Sequence, residues 1–350
     1  MLPDESKMII KLLNLSDKDE VRQWDDFVKS NGELYHDSRW AYILRSIYSF
    51  EPLYLYVEEG GTIISALPLF CVKKPFGGME IVSVPHIEAG GVINTALFAM
   101  YLDYLYDHVR VDTIKIMQFM EPLGDLPANT SEVVIIKDLP PTTSGIIDSV
   151  PVATKRNSFR KALEKPYELV IGNDSKLFSD FYPLYLDKMR SFGTPPHSFR
   201  FLIAIREAFG DACMIFAIKD PAGAIVSAIL CVGFSNMLNS LFVIVPSPLL
   251  KNLAGYFLEY HVMEYAVTNG YTSLILGRSE KKGGNYDYKV GLGGKPVPLY
   301  RYRFKLGSDG YRCVEEKTAK EKFRYQAQIW SKLPPLITDH VGPLIRKWVY

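Results

Sequence analysis

A chain of 350 residues, 48% hydrophobic and 23% charged, has the material for a sizeable core and exceeds the usual single-core size, so about two domains are expected. Forty basic against thirty-nine acidic side chains leave a net charge of +1, which excludes a whole-surface nucleic-acid footprint but not a local basic patch. Cys71, Cys213, Cys231 and Cys313 are too widely spaced for a zinc knuckle and too few for a disulfide framework, so free thiols, no metal and a cytoplasmic setting are expected.

From Met1 to Glu20 charged and apolar residues alternate without the apolar run that export requires. The longer apolar runs, such as Ala224 to Phe234, fall well short of the ~20 residues that span a bilayer, so no transmembrane segment is expected. An aromatic-rich helical stretch, Trp40 to Phe50, leads into two strands, Leu53–Val57 and Ile63–Leu67, joined at Gly60-Gly61 in the manner of a hairpin. A helix over 96–107 and a strand over 113–118 follow, and Asp138 to Gly145 is a turn-rich connector suited to a domain boundary.

Beyond it, Lys155, Arg156, Arg160 and Lys161 form a basic cluster on a predicted helix, readable as a phosphate-binding face or as a solvated one. A second aromatic helix, Phe199–Phe209, precedes a second hairpin, Met214 to Ile229, and 162 residues separate Ile63 from its counterpart Ile225. Two copies of one α/β unit are inferred. In the second copy a strand over 240–245 precedes a helix over 253–268, whose Leu253, Phe257, Tyr260, Met263 and Val267 keep helical spacing. Asn269-Gly270 supplies its stop.

The stretch 276–299 carries most of the functional signal. A strand over 272–276 runs into Gly277-Arg278-Ser279, a basic loop with Gly283 and Gly284, and a second strand expected to carry Tyr286, Tyr288 and Lys289. Arg278 offers a planar fork and Lys289 a compact point charge, a pair suited to an anionic ligand; a hairpin with solvated lysines is the alternative. Tyr286 and Tyr288 fit stacking on a sugar or base, or core packing in an alternating strand. In the tail, 309–350, a charged helix over 315–328 is followed by Pro334, Pro335 and Pro343. No nucleophile elbow, zinc-protease helix, Walker A loop or dinucleotide fingerprint is present, so hydrolase and nucleotide-fold readings lose their usual support.

Leu276-Gly277-Arg278-Ser279, the Tyr286-Asp287-Tyr288-Lys289 run and Gly293 to Leu299 together resemble the closing pattern of FemAB-like transferases and FemAB-related acetyltransferase-like proteins, members of the GNAT superfamily. Tyr288 stands where Phe is usual and Leu292 where Trp is usual. Similar blocks occur in family order upstream: Trp24 to Val28, His36 to Trp40, Ala66 to Leu69, Phe76 to Gly78, Ser83 to Pro85, Gly90 to Val92 and Arg190 to Pro196. The resemblance covers residues 20–305.

It implies an α/β fold with mixed sheets, as tandem duplicated GNAT-like domains over 1–140 and 141–308 with a helical tail over 309–350. It implies transfer of an activated acyl or aminoacyl group by direct attack onto an amine of a cell-envelope precursor, a peptidoglycan stem peptide or a polysaccharide amino sugar. Lys289 falls on the family's charge-stabilising lysine. Arg278, with Ser279, Tyr286, Tyr288 and Lys251, would hold substrate, and Glu88 with His86 would serve as base and relay. No tightly bound cofactor is expected; the donor is a co-substrate, aminoacyl-tRNA or acyl-CoA. Expected partners are a nucleotide- or lipid-linked precursor and tRNA.

The pyrophosphate loop of CoA-using GNAT domains is altered here, because Ala254 and Tyr256 break its glycine register around Lys251 and Gly255. Two further readings therefore stand beside the first: a binding module without catalysis, and a conventional acetyl-CoA N-acetyltransferase.

Overall fold

The structure is a computed structural model; it describes residues 8–75, 77–315 and 319–349, the side chains of 319–324 excepted. Phe76 of the resemblance and Glu316 to Thr318 of the expected tail helix lie outside the described residues. Two compact units divide the chain: Met1–Glu132 with Pro298–Thr318, and Val133–Val297 with Ala319–Val349.

In the first unit, β1 (Ile9–Leu12), α1 (Lys18–Asn31) and α2 (Arg39–Tyr48) precede β2 (Glu51–Glu59), β3 (Thr62–Lys73) and β4 (Met79–Ser83). Helix α3 (Phe98–His108) then crosses over to β5 (Thr113–Phe119). β1 to β4 pair antiparallel, and β4 pairs parallel with β5 at Ile81/Ile114 and Val82/Lys115. A parallel neighbour needs such a crossover. The core beneath includes Leu55, Leu67, Ile81, Tyr101, Leu105 and Ile114.

The second unit repeats the plan. It opens with β6 (Glu132–Asp138), α4 (Ala153–Leu163), β7 (Glu168–Gly172), α5 (Ser175–Ser191) and α6 (Phe199–Phe209). The meander β8 (Cys213–Lys219), β9 (Ile225–Phe234) and β10 (Met237–Ile244) follows, then α7 (Ser247–Lys251), α8 (Ala254–Thr268) and β11 (Ser273–Glu280). β7 to β10 pair antiparallel and β10 pairs parallel with β11, as β4 does with β5. β2 and β8 begin at Glu51 and Cys213, 162 residues apart, so the duplication read from the hairpins is one of topology.

Two expectations need correction. Lys289 sits on a helix, α9 (Gly284–Gly291), and not on a strand. The alternating Tyr286 and Tyr288 imitate strand period, but Gly293, at φ 92°, stops a helix: its N–H donates to Val290 O and the Gly294 N–H to Lys289 O, the paired bonds of a Schellman cap. The second correction concerns the boundaries. β12 (Lys295–Leu306) pairs antiparallel with β5 from Leu299 to Lys305, and β13 (Tyr311–Val314) pairs with β12. Residues 298–318 therefore belong with the first unit, not with 141–308 or a helical tail, because β5 would otherwise keep an unpaired edge. The tail helices α10 (Ala319–Trp330) and α11 (Pro335–Ile345) group with the second unit.

Candidate functional site

In the second unit β10 and β11 pair from Met237/Ser273 to Asn239/Ile275, and β11 then runs on through Gly277, Arg278 and Ser279. Gly277 adopts φ 80°, a backbone that L side chains resist, and so turns the strand. Its carbonyl and that of Arg278 each accept a hydrogen bond from Lys289 Nζ at 3.0 Å. The lysine picked out in the sequence thus holds a glycine kink in the strand that carries Arg278 and Ser279. Arg278 is exposed; Ser279 is buried, and its Oγ has no hydrogen-bond partner.

Helix α8 brings a residue that sequence reading missed. Glu259 is 5% exposed, and its Oε2 makes no hydrogen bond. Burial pushes its carboxyl up to about 7, and the nearby charge of Lys289 pulls the other way. Gly255, one turn earlier, lies on the same helical face. A Cβ there would stand 3.6 Å from the Tyr288 hydroxyl, so the phenol of α9 meets α8 beside its glycine. The Tyr288 OH is also buried without a hydrogen-bond partner. Burial first, then the Glu259 and Tyr256 charges, keep its phenol protonated far above neutrality.

A cation completes the group. Lys155 of α4 places its Nζ 4.8 Å from the centre of the Tyr288 ring and 5.9 Å from that of Tyr256, and the two rings meet edge-on at 5.4 Å. Gly291 makes room for it, since a Cβ would come within 2.0 Å of Lys155 Cε. One member of the basic cluster thus reaches inward as a cation–π partner. The second unit therefore joins an acid near neutrality, a phenol donor, two lysines and a hydroxyl on β11, α8, α9 and α4. No group of acidic, histidine or cysteine residues able to hold a metal ion occurs among the described residues.

Solved structures share this architecture. FemX superposes over 80% of this chain and 95% of its own, at TM-score 0.63 and 14% identity. The chain has the tandem-GNAT fold of FemX. A tandem GNAT protein from the clavulanic acid biosynthesis pathway matches over 86% of this chain and 99% of its own, with TM-score 0.52 and 14% identity. L-PGS from Bacillus licheniformis matches over 93% and 96%, with TM-score 0.52 and 10% identity. No family model matches the chain, and no curated protein matches it in sequence.

On this FemX-like fold the expected residues separate by unit. Arg278, Ser279, Tyr286, Tyr288 and Lys289 come together on β11 and α9, while Lys251 is exposed at the end of α7. Glu88 and His86 belong to the first unit. His86 takes φ 71° and packs its ring against Tyr48 and Phe50, centroids 4.6 and 5.7 Å apart. Several of the resembling blocks there hold the fold: Gly91 has no space for a Cβ beside Gln118, and His36 Nε2 bonds Gly91 O at 2.9 Å. The one available signal for Glu259 was its phase, an acid among the core positions Leu258, Val262 and Ala266 of α8.

Proposed function

We propose that this chain is an N-acyl or aminoacyl transferase, with Glu259 as the general base. Burial places its carboxyl near 7, where it is ionised often enough to accept a proton and basic enough to want one. That single observation carries the reading.

In this scheme the acceptor amine attacks the activated carbonyl directly and loses its proton to Glu259. The C–N bond forms, the bond to the leaving oxygen or sulfur breaks, and the departing atom takes the Tyr288 proton. Lys289 supplies the positive field and holds the Gly277 kink. Arg278, exposed beside it, takes a phosphate or carboxylate of the acceptor.

Aminoacyl-tRNA is the donor we infer ahead of acyl-CoA, because Ala254 and Tyr256 replace glycines of a CoA loop and Leu253 caps α8 in a left-handed conformation, φ 66°. The acceptor we infer is the amine of a nucleotide- or lipid-linked cell-envelope precursor, a reading supported by the fold shared with FemX and L-PGS. The decisive experiment supplies the purified protein with labelled aminoacyl-tRNA or acyl-CoA and amine acceptors. Transfer that Glu259→Gln abolishes supports the assignment; binding of acceptors with no transfer from either donor would make the chain a binding module instead.

A further inference from the structure

The tail helix α11 is packed the wrong way round for a helix that ends its business with the core. Its small residues face inward: Thr338 is fully buried, and at Gly342 a Cβ would come within 2.4 Å of Pro196 and 3.2 Å of the Trp330 ring. Arg346, just past the helix, brings its guanidinium within 3.2 Å of His197 Nε2 and fixes the end. Its large apolar residues face outward. Leu336 is 74% exposed and Leu344 69%, with Ile337, Val341 and Trp348 at 37–40%. Leu336, Ile337, Val341 and Leu344 share one side of α11, and Trp348 lies in the 3-10 turn Arg346–Trp348 that follows it. In α10, Ile329 and Tyr325 are also exposed, at 64% and 78%. Isolated surface leucines are ordinary, but a contiguous helical stripe of them marks a contact surface.

The charge of the segment says what covers it. Residues 319–350 hold six of the forty basic side chains and two of the thirty-nine acidic ones, so the tail carries +4 and the rest of the chain −3. Lys347 sits 4.5 Å from the Trp348 ring centre, and Lys332 is exposed in the turn between the helices. Leucines and a tryptophan flanked by lysine and arginine form the composition of a helix lying in a lipid headgroup region. A second copy of the chain is a poor occupant, since a twofold contact would bring two +4 tails together.

We propose that α10 and α11 form an interfacial anchor that seats the chain on an anionic lipid surface. The anchor does not depend on the transfer reaction and is tested without it. Co-sedimentation with phosphatidylcholine vesicles, with and without phosphatidylglycerol, reads it directly. The full chain is expected to bind the anionic vesicles and not the neutral ones, and added salt should release it. Leu336→Glu with Leu344→Glu, both at exposed positions, should lower binding at least about tenfold with an unchanged thermal melt. Lys332→Gln with Lys347→Gln should lower it about fivefold per charge. No binding to anionic vesicles, or binding that ignores the leucine changes, overturns the proposal. So does a dimer in light scattering that the same leucine changes dissociate, without vesicle binding, because the face would then belong to a second copy.

Discussion

Lys289 is the charge that pulls the Glu259 carboxyl down, and burial outweighs it, so a carboxyl whose ordinary value is 4.5 is pushed up to about 7. Its protonated form is therefore favoured in the folded chain. Below about pH 4.5 the group is protonated folded or unfolded and costs nothing; between about 4.5 and 7 the unfolded chain ionises first, and the native state loses stability as pH rises. Above 7 the loss is complete, at about 3 kcal/mol for a shift of this size. Glu259→Gln should remove it. Urea denaturation is expected to show the variant more stable than wild type at pH 8 and equal to it at pH 4, with transfer activity gone at both. A variant no more stable at pH 8 would mean that Glu259 is not held near 7.

Lys289 has two tasks that substitution separates. Lys289→Met leaves the Gly277 and Arg278 carbonyls without an ammonium donor, at an expected cost of about 1.5–3 kcal/mol. It also removes the influence that lowers Glu259, so the acidic limb of the pH–rate profile should move upward while turnover falls at least about tenfold. Lys289→Arg restores charge but not a compact donor, and should recover the limb better than the stability. Steady-state rates across pH, beside thermal melts, check both.

The Tyr288 hydroxyl gives a sharper separation of structure from chemistry. With no hydrogen-bond partner for its buried OH, Tyr288→Phe removes nothing that the fold uses, and stability should stay within about 0.5 kcal/mol or rise. The ring contacts with Tyr256 and Lys155 survive. If the phenol protonates the leaving group, turnover falls by about 10²–10⁴ with little change in KM. Phe is also the residue usual at this place in the resembling family, so an active Tyr288→Phe variant would assign the proton to another group.

The duplication was legible because each copy begins with the same hairpin, and hairpins announce themselves locally through glycine turns and alternating strands. Residues 276–299 stood out as a candidate site for a similar reason: Gly277 and Gly293 mark backbone that only glycine tolerates well. The strand expected at Lys289 failed because Tyr286 and Tyr288 satisfy period two over too few residues to exclude a helix, whereas the Gly293-Gly294 cap that decides the matter lies beyond them. Glu259 escaped because an acid on a helix reads as solvent-facing; its burial comes from elements that pack on α8 from elsewhere in the chain, among them α4, β8 and β9. The place of β12 was equally hidden, since its partner β5 lies about 180 residues earlier and no local pattern selects it.

Two glycines of the candidate site make opposite forecasts. At Gly294 a Cβ would stand 2.3 Å from Ile135 Cγ2 and 2.8 Å from Lys289 O, so Gly294→Ala must displace either a core side chain or the end of α9. A loss of about 1–3 kcal/mol is expected, with Lys289 drawn away from the Gly277 carbonyl. At Gly255 the nearest atoms lie at 3.6 and 3.8 Å, ordinary contact, and alanine is the better helix former by about 1 kcal/mol. Gly255→Ala should therefore match or exceed wild-type stability, its methyl in ordinary contact with the Tyr288 hydroxyl. Urea midpoints of the two variants, measured with unchanged m-values, test the pair; equal losses at both positions would mean that α8 and α9 approach more closely at Gly255 than these distances allow.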